Sequence, residues 1–212
     1  RKNVISMLNG LRVMSFVSPQ GKGYFVRGVL RKTSSALRSF GGSCDEASAC
    51  AEATYMGNAV IYPTKKASRD QYSGVLYGFA ETRDMVTDPA VLDELRIQTK
   101  VIITYLMKNN FTLPAPPPQK ASTGQTLTAG QKLAWLALAA QLLPEDEQFV
   151  TFFNEHKNEL LDLLKLSVLT PVLGSHYYRD YYSYNLSYIV LKSLHSSLVA
   201  FQDPLADEVK SM

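Results

Sequence analysis

The chain has 212 residues, 46% hydrophobic and 10% aromatic, with a net charge of +3. That length fits one large domain or two small ones, and the composition suits a packed core. Two cysteines make no disulfide framework, and the longest apolar run, residues 133–143, falls short of the ~18 residues that a membrane-spanning helix needs.

In chain order, the first 44 residues hold eight basic residues and no acid; the first carboxylate is Asp45. An uncancelled positive stretch attracts something negative: a nucleic acid, an acidic protein surface, lipid headgroups or the chain's own acidic half. From Arg1 to Leu113 there are 15 basic and 9 acidic residues, net +6; from Pro114 to Met212 there are 7 and 10, net −3. An Arg- and Ser-rich, acid-free start also resembles a transit peptide, but strand-like runs and turn glycines argue against that for this stretch. Residues 11–17 alternate roughly at period two, residues 18–23 have turn composition, and residues 24–30 read as a second strand. Together they predict a β-hairpin over 11–30. Residues 45–55 are rich in Ala and Glu and predict a short helix. Residues 58–62 predict a strand stopped by Pro63, and residues 74–79 a returning strand.

The period then changes. Thr87, Asp88 and Pro89 form a helix start, and Val91, Leu95, Ile102 and Leu106 keep a helical stripe that ends near Asn109 and Asn110. Residues 114–127 read as a Pro-rich linker. Thr128 caps a helix running to Leu143, and Pro144 opens the next. Its expected buried face is Phe149, Phe153, His156, Leu160, Leu163 and Ser167, with an end at Thr170 and Pro171. The last helix runs from about Tyr177 to Phe201, with an expected seam of Tyr181, Tyr184, Tyr188, Leu191, His195 and Leu198. The predicted fold class is α+β: an antiparallel sheet with flanking helices over 1–113, the linker 114–127, and an all-helical segment of about three helices over 128–212.

The order over residues 58–108 is strand, Pro63, polar connection, Gly-led strand, long helix. Ile61, Tyr62 and Pro63 followed by Gly74, Val75 and Leu76 resemble the closing half of a GAF domain. PAS, longin and profilin-like α+β folds have a similar outline. The resemblance implies a small-molecule sensor or a dimerisation and docking module. The Asn-Lys, Phe and Asp-Glu signature of cyclic-nucleotide-binding GAF domains is absent, since Ala80 to Asp84 do not supply it.

No catalytic, metal or cofactor motif stands out. Gly21, Lys22, Gly23 and Gly28 lack the Ser or Thr and the following helix that a phosphate-cradling loop requires, so they read as a turn. His156 and His195 fall on apolar helix stripes. His176, beside Ser175 and near Asp180, sits in an expected turn without the context of a catalytic triad. Cys44 and Cys50 match no metal or redox spacing and are expected to stay reduced. The expected compartment is therefore intracellular: the cytoplasm, or an organelle reached after removal of an upstream transit peptide.

Two surfaces carry the functional expectation. Arg12, Lys22, Arg27, Arg31 and Lys32 are the candidate polyanion-binding residues, with Phe16, Tyr24 and Phe25 at hand for stacking on RNA. Tyr177, Tyr178, Arg179 and Tyr182 are the candidate protein-interaction residues, within a run that holds six of the twelve tyrosines. The leading expectation is a non-catalytic interaction or scaffold subunit of a larger assembly, without a cofactor. It docks on other protein subunits or forms a homo-oligomer. RNA or other polyanion binding and GAF-like sensing are the alternatives.

Overall fold

The computed structural model describes residues 2–18, 20–34, 50–63, 67–114, 124–178 and 181–212; the side chains of Lys2 and of residues 168–178 and 181–184 lie outside this description. The fold is α+β. Its elements are α1 (Lys2–Phe16), β1 (Leu30–Arg31), β2 (Cys50–Tyr55), β3 (Asn58–Pro63), α2 (Arg69–Met85), α3 (Pro89–Lys108), β4 (Thr112–Leu113) and β5 (Gln125–Thr126). Four helices follow: α4 (Ala129–Leu142), α5 (Glu147–Tyr178), α6 (Tyr181–Phe201) and α7 (Leu205–Lys210). The chain divides into two compact units, residues 1–71 with 104–126 and residues 72–103 with 127–212.

In the first unit, an antiparallel sheet has the order β1-β3-β2. Register pairs Arg31 with Val60, Ala53 with Val60, Ala51 with Tyr62 and Tyr55 with Asn58. Side chains alternate between the two faces of a strand. Ala51, Ala53, Tyr55, Val60 and Tyr62 thus share one face, and they pack with Val13, Met14 and Val17 of the first helical segment. β4 and β5 form a separate two-stranded ribbon.

Three expectations in this region are corrected. Residues 11–16 are the second half of α1, not the first strand of a hairpin. Leu8 is 0% exposed and Ser15 1% exposed, one helical face seven residues apart. The period-two appearance of 11–17 is a short-window coincidence. Residues 24–26 are buried but make no sheet ladder, and pairing begins only at Leu30. Residues 50–55, expected in a helix, form β2, because pairing along all six positions with β3 outweighs the helical preference of Ala and Glu, which amounts to roughly a few tenths of a kcal/mol per residue.

In the second unit, the segment 74–79 is also corrected: it lies within α2, not in a returning strand. Tyr72, Val75, Leu76, Phe79 and Ala80 are buried at helical spacing, whereas a Cβ on Gly74 or Gly78 would meet nothing. Gly74 is exposed and Gly78 half-buried, and neither is a turn signal. The Gly74-Val75-Leu76 element of the GAF resemblance is thus helical.

The helix over 89–108 forms as expected. Asp88 Oδ1 accepts from the Ala90 N–H at 3.1 Å, and Val91, Leu95, Ile102 and Leu106 are each 0–1% exposed. It ends where Asn110 and Phe111 adopt positive φ of 49° and 55° and Phe111 N–H returns to the Leu106 carbonyl at 2.7 Å.

Helix α4 begins with a capping box: Gln131 N–H donates to Thr128 Oγ1, and Thr128 N–H donates to Gln131 Oε1. Residues 133–140 are all buried, the mark of a helix surrounded by others. α4 packs against both α5 and α6. The helices approach closely at Gly130, where a Cβ would stand 2.8 Å from Leu164 Cδ1 and push that side chain aside. Trp135 sits edge-on to Tyr72 and Phe79, with ring centroids at 6.4 and 6.1 Å.

The stripes on the last two long helices are rotated from expectation. On α5, Phe149, Phe153, Leu160, Leu161 and Leu164 are buried, but Leu163 is 46% exposed and Ser167 is exposed. α5 continues through Pro171, so Ser175 and His176 lie in a helix and not in a turn; Asp180 lies outside the described residues. On α6 the buried seam is Val190, Ser193, Leu194, Ser197 and Leu198, and Tyr188 is 62% exposed. A helix presents one stripe to the core, and a shift of one residue in choosing it moves the partners by ~100°.

Candidate functional site

The first unit is organised around the end of α1. The chain leaves the helix through Gly21 and Gly23, at φ 111° and 100°, a region where glycine carries no steric penalty. It then folds back on the helix, so that Gly23 N–H donates to the Ser15 carbonyl at 2.8 Å and Val26 N–H to the Met14 carbonyl at 3.1 Å. These bonds satisfy helix-end carbonyls that would otherwise lack partners. The same turn places Tyr24 at 2% exposure and Phe25 at 0%. The Tyr24 hydroxyl accepts from the Ala67 N–H at 2.8 Å and donates to the Pro114 carbonyl at 3.1 Å, joining three distant chain segments. Tyr105 lies edge-on to it, with centroids 5.9 Å apart. Burial raises the Tyr24 pKa; burial, then the neighbouring Tyr24, raises that of Tyr105.

The candidate polyanion-binding residues lie in this unit. Arg12 is on α1 and half-buried, while Lys22, Arg27, Arg31 and Lys32 are exposed. Arg12 and Lys22 converge on the Phe16 ring, at 5.9 and 5.4 Å from its centroid. Lys32 pairs with Glu52 at 2.7 Å, with both side chains more than half exposed, so the pair contributes little to stability. Of the expected stacking partners, Tyr24 and Phe25 are core residues and are closed to a ligand; Phe16 is the half-buried ring between two cations. Arg31 is set apart from the others by its register opposite Val60, on the sheet face that looks toward α1.

Beside Arg31 is a cleft of about 360 Å³. Gly10, Val13 and Met14 of α1 line one side; Val29, Arg31, Val60, Asn58, Tyr55 and Met56 line the other. It extends the small core of this unit toward the tip of the β2–β3 hairpin. That tip is a two-residue turn in which Met56 and Gly57 both have positive φ, 47° and 77°. The geometry is that of a type I′ turn, which favours Asn or Asp at the first position. A methionine there is strained, and it is 84% exposed. Sequence reasoning missed the cleft because its walls come from a segment expected to be strand and another expected to be helix. Gly57 after Met56 was the one local signal.

The aromatic interaction residues are not brought into view: Arg179 and the side chains of Tyr177, Tyr178 and Tyr182 lie outside the described residues. Tyr188, from the same run, is exposed.

In the second unit the polar groups are occupied by structure. Arg83, with a side chain 5% exposed, donates Nε–H to Asp84 Oδ1 at 2.7 Å, and its two terminal nitrogens reach Ser196, Ser197 and Gln141. Ser196 in turn bonds to Asp84. Lys192 bridges Glu81 and Tyr77, and these two hydrogen bonds raise its pKa. Lys157 pairs with the buried Asp203, and Lys165 with Glu208. His156 stacks on Phe152 and bonds to its carbonyl at 3.0 Å, a structural role. Among the described residues no group of three or more His, Cys, Asp or Glu could hold a metal ion, and no helix is long and apolar enough to cross a membrane.

The expectation of reduced cysteines is corrected: Cys50 is disulfide-bonded. Cys44 is the only other cysteine in the sequence and lies outside the described residues. The intracellular expectation had rested on free thiols, and that support is gone.

No family model matches the chain, and no curated protein or solved structure is similar to it.

Proposed function

We propose that this protein is a non-catalytic interaction subunit that docks an acidic protein surface through its basic unit. One observation carries the reading. When the sequence is divided by packing instead of by chain position, the charge separation deepens. Residues 1–71 with 104–126 hold 13 basic and 4 acidic residues, net +9; residues 72–103 with 127–212 hold 9 and 15, net −6. The separation sums to the same +3, so it arises from which segments pack together. Lys22 and Arg27 stand exposed on the basic unit, and such a field steers association and selects partners of opposite sign.

An acidic protein is favoured over RNA because Tyr24 and Phe25 are buried, and single strands bind through aromatic platforms as well as charge. The disulfide at Cys50 supports an oxidising compartment, where nucleic acid is the less available polyanion. The exposed Tyr188 on α6, with Leu163 and Leu166 on α5, supports a second contact with a neighbouring subunit.

The test compares the wild type with Lys22→Glu/Arg27→Glu. Wild-type protein should be retained on immobilised poly-glutamate and released steeply by salt, and it should capture a partner from its source that the variant fails to capture. A monomeric wild type that captures the same proteins as the folded variant would refute the docking reading. Tighter retention on single-stranded oligouridylate than on poly-glutamate at equal salt would favour RNA.

A further inference from the structure

We propose that the cleft between α1 and the sheet binds a small amphiphilic carboxylate, with its apolar tail among Val13, Met14, Val29 and Val60 and its carboxylate on Arg31. Apart from Tyr55, Asn58 and Arg31 on the sheet side, the walls are aliphatic and thioether groups, which suit an alkyl chain. Of the nine lining residues one is charged, and it is a cation; none is a carboxylate. Among the described residues Arg31 makes no ion pair. Its register opposite Val60 puts a guanidinium on the α1-facing side of the two-residue edge strand β1, where a planar fork can meet a carboxylate in two parallel hydrogen bonds.

Two further features fit a ligand site. Gly10 stands inside α1, where a glycine costs about 1 kcal/mol relative to alanine, and a Cβ there would meet nothing within 4 Å. No packing constraint accounts for it, and it leaves the cleft open. Met56 holds a left-handed conformation at the rim, leaving a flexible apolar side chain free over the opening. An inward charge on an edge strand can also serve only to deter strand pairing, and the experiment separates the two.

Six methionines serve as reporters. In protein carrying ¹³C-labelled methionine methyls, decanoate below its micelle-forming concentration should shift Met14 and Met56 saturably and leave Met85 and Met212 unmoved. Arg31→Gln should weaken decanoate by about tenfold or more, the effect of losing a charged hydrogen bond, and leave 1-decanol unchanged. Gly10→Leu should fill the cleft, abolish binding of both, and unfold at the same temperature as wild type or higher. Absence of a saturable shift, a uniform non-saturable shift of all six methyls, or unaltered binding in folded Gly10→Leu would overturn the site. Equal decanoate affinity in Arg31→Gln would overturn the carboxylate assignment.

Discussion

Tyr24 shows how a single side chain can change meaning between sequence and fold. In sequence it is an aromatic among cations; in the structure its hydroxyl fastens residues 24, 67 and 114 together. Tyr24→Phe leaves the Ala67 N–H without that acceptor, and chemical denaturation should show a loss of about 1–3 kcal/mol. The raised pKa values of Tyr24 and Tyr105 fix the sign of a pH effect. Each group favours folding while neutral, so the stabilisation is complete below the unfolded tyrosine pKa of about 10 and is lost as pH rises through the folded values. Denaturation midpoints should therefore fall above pH ~10, and the Tyr24→Phe/Tyr105→Phe variant should fall less steeply. Met56→Asn should relieve the strained turn and stabilise the hairpin by about 0.5–1 kcal/mol, read as a higher urea midpoint at unchanged slope.

Among the elements, glycine position decides what substitution does. Gly74 faces open space in α2, and Gly74→Ala should stabilise by about 0.5–1 kcal/mol. Gly130→Leu forces its side chain against Leu164 and Val190 and should cost about 1–3 kcal/mol. Thermal unfolding that shifts both variants in the same direction would contradict the packing described for α4. The Arg83 clamp is a second element-scale feature. It joins α2 to α4 and α6 by hydrogen bonds to Gln141, Ser196 and Ser197. Arg83→Met removes the donor from the buried Ser197 and the half-buried Gln141 and Ser196 and should destabilise by about 1–3 kcal/mol, and Arg83→Lys should not restore it, because an ammonium lacks the planar fork. The local sequence does not mark Arg83 as a clamp, since its partners on other helices lie 58 to 114 residues away.

At the scale of the molecule, the docking reading predicts behaviour that stability measurements do not register. Tyr188→Ala removes an exposed side chain, so its unfolding midpoint should match wild type within about 0.5 kcal/mol. Its apparent mass by light scattering at micromolar concentration should fall if α6 carries a subunit contact. An unchanged mass in a multimeric wild type would place the contact elsewhere. Partner release by salt should follow the charge of the basic unit, and reversing Lys22 and Arg27 should reduce its slope.

The sequence by itself determined the α+β class, the capped helices over 89–108 and 129–142, the strand over 58–62 and the charge asymmetry. Each rests on a signal that is local or additive: a capping side chain, a long period of 3.6, or a count of charges. Only the tertiary structure decided that residues 11–16 and 74–79 are helical and residues 50–55 a strand, because short apolar runs fit either period until a partner is present. It also decided which stripe of α6 is buried, that Tyr24 is an anchor, and that a cleft opens beside Arg31. Those properties belong to pairs of segments far apart in the chain, and no window of sequence contains both members of the pair.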